Sequence, residues 1–318
     1  MELEEDSMEV KPDVATVFAH SVEEFQSRVR EVGEDAWDRP TPCTDWDVRA
    51  LVNHVVGEQR WVVPLLEGKT IAEVGDALDG DLLGSAPSEA ADAAAKAAVS
   101  AFSEPGAMDR TVHLSFGDTP AAEYAWQLIA DHVVHAWDLA VAVGADPHID
   151  QDLVVRVEHW WQQWEEVYRS AGAVGPRAEL TGHPSRQDRL ISSFGRDPAW
   201  SMSQAAVARF GAAWEAWDLD RIVACLADDA VFETTGPAPD GERVQGKEAI
   251  RALWQRMFDE TQDASFTFED STVCGDRATC RWQFAWTNGD GSRGHVRGVD
   301  VIAVADGRIT EKLSYVKG

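Results

Sequence analysis

The sequence has few cysteines, little positive charge and no long apolar run. The four cysteines lie far apart, without the CxxC spacing of zinc–thiolate sites or disulfide frameworks (Cys43, Cys225, Cys274 and Cys280). Only 28 basic side chains stand against 56 acidic ones, which gives a formal net charge of −28. Because phosphate contacts need a basic face, this charge argues against binding to nucleic acid or to anionic membranes.

Two further absences concern location. No apolar run approaches the roughly 18 residues of a membrane-spanning helix. The first residues, MELEED, are acidic and lack the apolar core of a signal peptide. The sequence therefore predicts a cytoplasmic protein without a membrane anchor, and its 318 residues suffice for two ordinary domains.

The first part of the chain has the periodicity of helices. Apolar residues recur every three to four positions in five segments, residues 14–32, 45–66, 88–102, 119–143 and 151–170. Thr44 with Asp47 resembles a capping box that opens the second helix. We expect an all-α, up-and-down four-helix bundle with one extra helix over residues 13–198, preceded by a disordered acidic lead-in over residues 1–12.

The pattern changes after a linker at residues 195–198 (GRDP). Helices are predicted at 203–226 and 247–261, followed by strands at 278–286, 295–304 and 309–316. Ala278, Cys280, Trp282, Phe284 and Trp286 alternate with polar residues and are predicted to share one strand face. Residues 199–318 therefore predict a second, α+β domain with an antiparallel sheet.

Three residues of the predicted bundle are candidate metal ligands. Asp131 and His135 are one helical turn apart and so lie on one face of a helix. His54, on a second helix, would add a third donor. Two imidazoles and one carboxylate leave positions open for water or substrate, as catalytic metal sites do. Each residue alone is more often an ordinary helix residue, and His132 also shares a face with His135.

Three stretches of the first domain resemble a known family. Residues 41–57 (TPCTDWDVRALVNHVVG), 131–139 (DHVVHAWDL) and the tail pieces QDRL and GRDP resemble the DinB-like superfamily. Within that superfamily, these stretches resemble the metal-binding domain of the mycothiol-dependent maleylpyruvate isomerase type. The resemblance implies a four-helix bundle that carries a divalent metal, usually zinc, on His54, Asp131 and His135. Asp131 stands where the isomerase itself has glutamate.

The metal suggests a chemistry for this domain. A divalent cation deprotonates a bound thiol, and the thiolate attacks an electrophilic carbon. Glu58, one turn after His54, is a candidate proton carrier or a solvated helix residue. Arg60 is a candidate for holding an anionic substrate or cofactor, or an ordinary surface charge. Cys43 is either an internal thiol or a small, partly buried side chain.

The second domain resembles the SnoaL-like and ketosteroid isomerase-like group of the NTF2-like fold. The resemblance rests on residues 217–232 (WDLDRIVACLADDAVF), 246–250 (GKEAI), 297–302 (RGVDVI) and 306–309 (DGRI). It implies a cone-shaped sheet around a pocket. Phe210 and Thr234 stand where the isomerase has its tyrosine and its general base. Asp300 matches the remaining acid. It is either a neutral donor or general acid in an apolar pocket, or an ordinary aspartate that is partly wet or paired with an arginine.

The sequence thus predicts an enzyme: a metal-dependent S-transferase or thiol-assisted isomerase, with zinc, mycothiol as the thiol and a small electrophile as substrate. One alternative is cyclase, isomerase or hydratase chemistry through Asp300. Another is a non-catalytic module that binds a small molecule or forms a homodimer through the tryptophan-bearing sheet.

Overall fold

The computed structural model describes residues 13–317, and the chain divides into two compact units that meet between Ala199 and Trp200. The acidic lead-in predicted at residues 1–12 lies outside the described residues. The helical N-terminal region and the α+β C-terminal domain, both predicted from the sequence, are confirmed. Within the described part of the chain, no helix is long and apolar enough to cross a membrane.

Besides a short 3-10 helix at Ala107–Asp109, the N-terminal unit contains seven described α-helices and one hairpin. They are α1 (Val14–Val29), α2 (Val48–Leu66), α3 (Ile71–Val74), α4 (Pro87–Phe102), the hairpin strands β1 (Thr111–Leu114) and β2 (Gly117–Pro120), α5 (Ala121–Val143), α6 (Gln151–Ser170) and α7 (Arg186–Ser193). The hairpin was not predicted, because its four-residue strands are too short to produce a clear alternation.

Two helix ends in this unit follow directly from local sequence. Asp47 caps α2, and its carboxylate accepts a hydrogen bond from the Ala50 backbone N–H at 2.7 Å. The predicted capping box at Thr44 is therefore wrong, since the helix begins three residues later. Helix α5 ends at Gly144, which adopts a left-handed conformation with φ of 77° that suits glycine.

Four long helices bury the core of this unit. Helices α1 and α2 each pack against both α4 and α5. Apolar side chains spaced at helical intervals fill the space between them, and the largest fully buried ones are Phe18, Phe25, Phe102, Leu51, Ile129 and Leu139. Helix α6 packs against α5 and α7. This packing fixes α2 and α5 side by side, which matters for the site below.

The C-terminal unit combines three described helices with a six-stranded sheet. The helices are α8 (Met202–Glu215), α9 (Leu219–Ala224) and α10 (Lys247–Glu260). The strands are β3 (Leu226–Glu233), β4 (Arg243–Gln245), β5 (Gln262–Cys274), β6 (Arg277–Thr287), β7 (Arg293–Ala305) and β8 (Arg308–Val316), in the order β4-β3-β8-β7-β6-β5. Strands β3 and β8 are parallel, and all other neighbours are antiparallel.

The predicted alternation in β6 is confirmed along its first half, where Ala278, Cys280 and Trp282 are buried and the residues between them are exposed. Strand β7 places a glycine opposite a tryptophan twice, Gly298 opposite Trp282 and Gly294 opposite Trp286. A Cβ atom at either glycine would overlap the indole ring across from it. The two glycines therefore let the indoles lie over β7.

Candidate metal centre

Two neighbouring helices of the N-terminal unit bring three candidate ligands together. Helix α2 supplies His54, and α5 supplies Asp131 and His135. The Nε2 atom of His54 lies 3.3 Å from Asp131 Oδ2, and the Nε2 atom of His135 lies 3.3 Å from Asp131 Oδ1. The three ligand atoms all lie within 4.8 Å of one another, a spacing that a single divalent cation could bridge.

Hydrogen bonding at Asp131 is incomplete in a way that suits a cation. Its Oδ2 atom is buried and accepts no hydrogen bond that meets ordinary geometry from residues 13–317, although His54 Nε2 is close. A buried carboxylate oxygen normally has a donor, because an unsatisfied one is costly. A positive ion between the carboxylate and the two imidazoles would satisfy it, so the residues present fit a metal.

A second layer of residues orients His135. Its Nδ1 atom lies 2.9 Å from Oδ2 of Asp138, one helical turn further along α5, which leaves Nε2 facing Asp131. Asp138 is fully buried and forms an ion pair with Arg196 at 3.0 Å. A carboxylate behind a ligating histidine is the usual way to fix the ring and raise its basicity.

The charges of this cluster shift the pKa values of its members. Burial alone would raise the pKa of Asp131, but His135 and His54 hold it well below the usual range. Burial alone would lower the pKa of His135, but Asp131 and the hydrogen bonds to Asp138 and Cys43 raise it well above the usual range. Without a cation, a proton on His135 would supply the positive charge that the carboxylate attracts.

A second set of donors overlaps the first. Cys43, His135 and Asp138 also have ligand atoms within 4.8 Å of one another. In this set, however, the Cys43 sulfur lies 3.2 Å from Nη2 of Arg196, which also pairs with Asp138. A metal ion placed there would lie beside a guanidinium that already neutralises the carboxylate. The set of His54, Asp131 and His135 is therefore the better cation site.

The candidate ligands open into a cavity of about 610 Å³. One part of its wall is aromatic, and the contributing side chains are Trp46, Trp160, Trp161, Tyr168 and Phe194. Trp46 is closest to the ligands, with its ring centroid 4.7 Å from that of His54. Cys43 and Arg196 also line the cavity. A volume of this size suits a small organic molecule.

Glu58 and Arg60, the two other site residues predicted in this domain, do not line the cavity. Burial raises the pKa of the Glu58 carboxyl, and the charge of Asp131 raises it further, although His54 and His135 act in the opposite direction. Glu58 therefore lies within electrostatic reach of the cluster but does not line the cavity. Arg60 also lies outside the cavity wall, and its guanidinium donates a hydrogen bond to the Leu82 carbonyl at 3.0 Å. The structure does not bring Arg60 to the candidate site.

In the C-terminal unit, Asp300 is fully buried, as expected for a residue on an inward face. Of the alternatives predicted for Asp300, the structure shows an ion pair, but with a lysine in place of an arginine: Lys312 Nζ lies 2.9 Å from Asp300 Oδ2. The Ser314 hydroxyl donates to Asp300 Oδ1 at 2.7 Å. Lys312 and Ser314 line a second cavity of about 720 Å³, whereas Asp300 lies behind them. Thr234 also lines that cavity, and Phe210 is fully buried in the core.

Comparison with known proteins gives two matches that cover different parts of the chain. Residues 18–140 match the family model of the mycothiol maleylpyruvate isomerase N-terminal domain, and residues 207–312 match that of the SnoaL-like domain. The two-domain resemblance seen in the sequence is thereby confirmed.

Individual proteins are also similar to parts of the chain. The uncharacterized proteins Rv0738 and MT0763 of Mycobacterium tuberculosis strains H37Rv and CDC 1551 are each 30% identical over 169 residues, 52% of this chain and 81% of theirs. An NTF2-like protein of unknown function from Mesorhizobium loti is 33% identical, covers 44% of this chain and 100% of its own, and has a TM-score of 0.33.

Proposed function

Because the chain belongs to the family of these mycobacterial proteins and contains a mycothiol maleylpyruvate isomerase N-terminal domain, we propose that its helical unit is a metal- and thiol-dependent enzyme. In this proposal, α1, α2, α4 and α5 form the four-helix bundle of the family. The reaction is S-transfer to a small electrophile, or its thiol-assisted isomerisation, with mycothiol as the thiol.

One observation carries the proposal: His54, Asp131 and His135 present three ligand atoms within 4.8 Å at the wall of a cavity. Two imidazoles and a carboxylate suit zinc, and three protein ligands leave a position for an exogenous ligand. A divalent cation bound there would lower the pKa of a thiol so that it reacts as the thiolate.

The remaining residues of the site would each support that reaction. Asp138 holds the His135 ring, and Arg196 neutralises Asp138 so that the pair can stay buried. The aromatic wall around Trp46 and Trp161 would exclude water and contact the apolar part of a substrate. Glu58 does not line the cavity, so its proposed proton-carrier role is indirect, through the charged cluster of His54, Asp131 and His135. Arg60 is left out, because its guanidinium is directed to Leu82.

Metal content is the first test. The metal content of four proteins, each purified without a metal-binding tag, is compared. They are the wild type, His54→Ala, His135→Ala and the control His148→Ala, in which the replaced side chain is 83% exposed. We expect about one divalent ion per chain in the wild type and control, and a loss in both ligand variants. No metal in the wild type after incubation with zinc, or equal metal in all four proteins, would refute the proposed centre.

Activity is tested on the same set of proteins. Zinc-loaded wild type and His148→Ala are expected to accelerate the conjugation of mycothiol with 1-chloro-2,4-dinitrobenzene, followed by absorbance, whereas His54→Ala is not. A Glu58→Gln variant that keeps its metal but loses most of the rate would support the proton-carrier role. If the protein binds metal but catalyses no thiol reaction with any of several electrophiles, the metal site stands and the transferase function is rejected.

A further inference from the structure

The cavity of the C-terminal unit has an apolar, aromatic wall and a charged group at depth. Seven of the lining side chains are aromatic: Trp214, Phe232, Trp254, Phe266, Trp282, Phe284 and Trp286. The ammonium group of Lys312 lies among them, with Nζ 4.8 Å from the centroid of the Phe232 ring and 6.0 Å from that of Trp214. Lys312 is only 6% exposed.

The ammonium has two oxygen contacts, an ion pair and a hydrogen bond, which leaves it with a donor to spare. Nζ lies 2.9 Å from Asp300 Oδ2 and donates to the Ser314 hydroxyl at 2.6 Å. An ammonium has three N–H donors, and within residues 13–317 the structure gives it these two oxygen partners. The rings of Phe232 and Trp214 also lie near Nζ, and Lys312 lines the cavity, so a remaining N–H can donate to an oxygen atom that enters it.

Stability alone gives little reason for a lysine here. Removing an ammonium and a carboxylate from water costs several kcal/mol, and apolar residues in the place of a buried pair often leave a protein as stable or more so. Asp300 supports the charge on Lys312 from behind the cavity wall. The pair therefore holds a cation at the inner surface of an otherwise apolar pocket.

Two indole N–H groups in the same wall also have no acceptor. The Nε1 atoms of Trp214 and Trp282 are buried and lack a hydrogen-bond partner within the described chain. Trp282 is held over β7 because Gly298 has no side chain. Buried donors of this kind are rare and costly, and an oxygen-bearing ligand is one way to satisfy them.

We propose that this cavity binds an organic anion with a planar, apolar body, and that Lys312 donates a hydrogen bond to the carboxylate or enolate oxygen of that ligand. The aromatic side chains would contact its rings. Arg256 and Glu260 also line the cavity, but both are exposed and opposite in charge, so preference for an anion comes from the buried ammonium. This second binding site is independent of the metal centre proposed for the helical unit.

The test compares two probes of equal shape, 2-naphthoate and the uncharged 2-naphthalenemethanol, by calorimetric titration of the full-length protein. We expect the wild type to bind the anion at least about tenfold more tightly, the usual scale for a buried charge-assisted hydrogen bond. This comparison needs no variant, and equal affinities or no binding of either probe would overturn the proposal.

A double variant then assigns the preference to Lys312. Asp300→Asn with Lys312→Met removes both charges together and leaves no unpaired ion in the pocket. We expect it to bind 2-naphthalenemethanol as before and to lose the preference for 2-naphthoate. A retained preference would overturn the role of Lys312. His54→Ala, a variant of the other unit, should bind both probes like the wild type. The test of this cavity therefore does not depend on whether the proposed metal centre is correct.

Discussion

The Nδ1 atom of His135 lies 2.9 Å from Oδ2 of Asp138, one turn along the same helix. This contact connects the candidate metal centre to the buried ion pair between Asp138 and Arg196, and Arg196 comes 58 positions after Asp138 in the chain. The geometry of the three ligands therefore depends on a residue that is not itself a ligand.

Replacement of Asp138 by asparagine should weaken metal binding without removing a ligand. The change deletes the charge that makes His135 more basic and leaves Arg196 without its carboxylate partner, so we expect the zinc affinity to fall about ten- to a hundredfold. Competition with a chromogenic chelator measures this affinity. Asp146→Asn, an exposed position, serves as the control, and an unchanged affinity in Asp138→Asn would show that the pair does not tune the ligand.

Replacement of Cys43 by serine should leave the metal in place. Cys43 belongs to the second donor set, where Arg196 already supplies the positive charge. If the ion sits on His54, Asp131 and His135, Cys43→Ser keeps about one ion per chain by elemental analysis. Loss of the ion in Cys43→Ser together with its retention in His54→Ala would identify the second set as the true site.

Breaking the Lys312–Asp300 pair on one side should cost more stability than removing both partners. Lys312→Met leaves a fully buried carboxylate unpaired, and we expect a loss of about 3–5 kcal/mol in the free energy of unfolding. The double variant with Asp300→Asn should recover most of that loss. Urea unfolding of the four proteins of this cycle gives the coupling energy, and additive losses would contradict a direct interaction.

A methyl group at Gly298 should disturb the tryptophan wall of the second cavity. The new Cβ atom would overlap the Trp282 ring and lie 2.5 Å from the Tyr315 carbonyl oxygen. We expect Gly298→Ala to lower the free energy of unfolding by about 1–3 kcal/mol. Gly289 has no heavy atom within 4 Å of its own added Cβ, so Gly289→Ala is the matched control. Equal stability of the two variants would mean that Trp282 moves freely.

The cysteines of the C-terminal unit should differ strongly in their reaction with iodoacetamide. Burial, followed by the charge of Asp300, raises the pKa of Cys280 to about 12, so at pH 8 almost all of it remains the unreactive thiol. Cys274 is exposed and should be alkylated first. Mass spectrometry of peptides from folded protein follows both sites, with Cys274→Ser as the control. Alkylation of Cys280 at a similar rate would mean that the strand opens readily.

The sequence pattern was enough to name the candidate ligands, but it indicated only some of the residues that support them. The spacing of Asp131 and His135 predicts a shared helix face, and Asp138 follows His135 by a further turn. Arg196 could not be predicted in this way, because no local sequence pattern shows that the residues after α7 lie in contact with Cys43. Tertiary contacts of this kind depend on packing between distant segments.

In the second unit, the sequence indicated the inward position of Asp300 but not its partner. Lys312 and Ser314 have the spacing of one strand face, and Ser314 pairs directly with Asp300 across β7 and β8. The register between strands depends on the turn and on a β-bulge near Ala303, which the sequence does not reveal. The cation that pairs with Asp300 could therefore not be identified from its spacing along the chain.

The candidate metal ligands and most of the aromatic cavity wall come from different stretches of the chain. All three candidate ligands fall within the family match at residues 18–140, but Trp160, Trp161, Tyr168, Phe194 and Arg196 lie beyond it. Most of the aromatic surface that would contact a guest molecule can thus be altered without changing a candidate ligand. For protein engineering, this makes α6 and Phe194 the places to reshape specificity, while Arg196 is kept because it pairs with Asp138 behind His135.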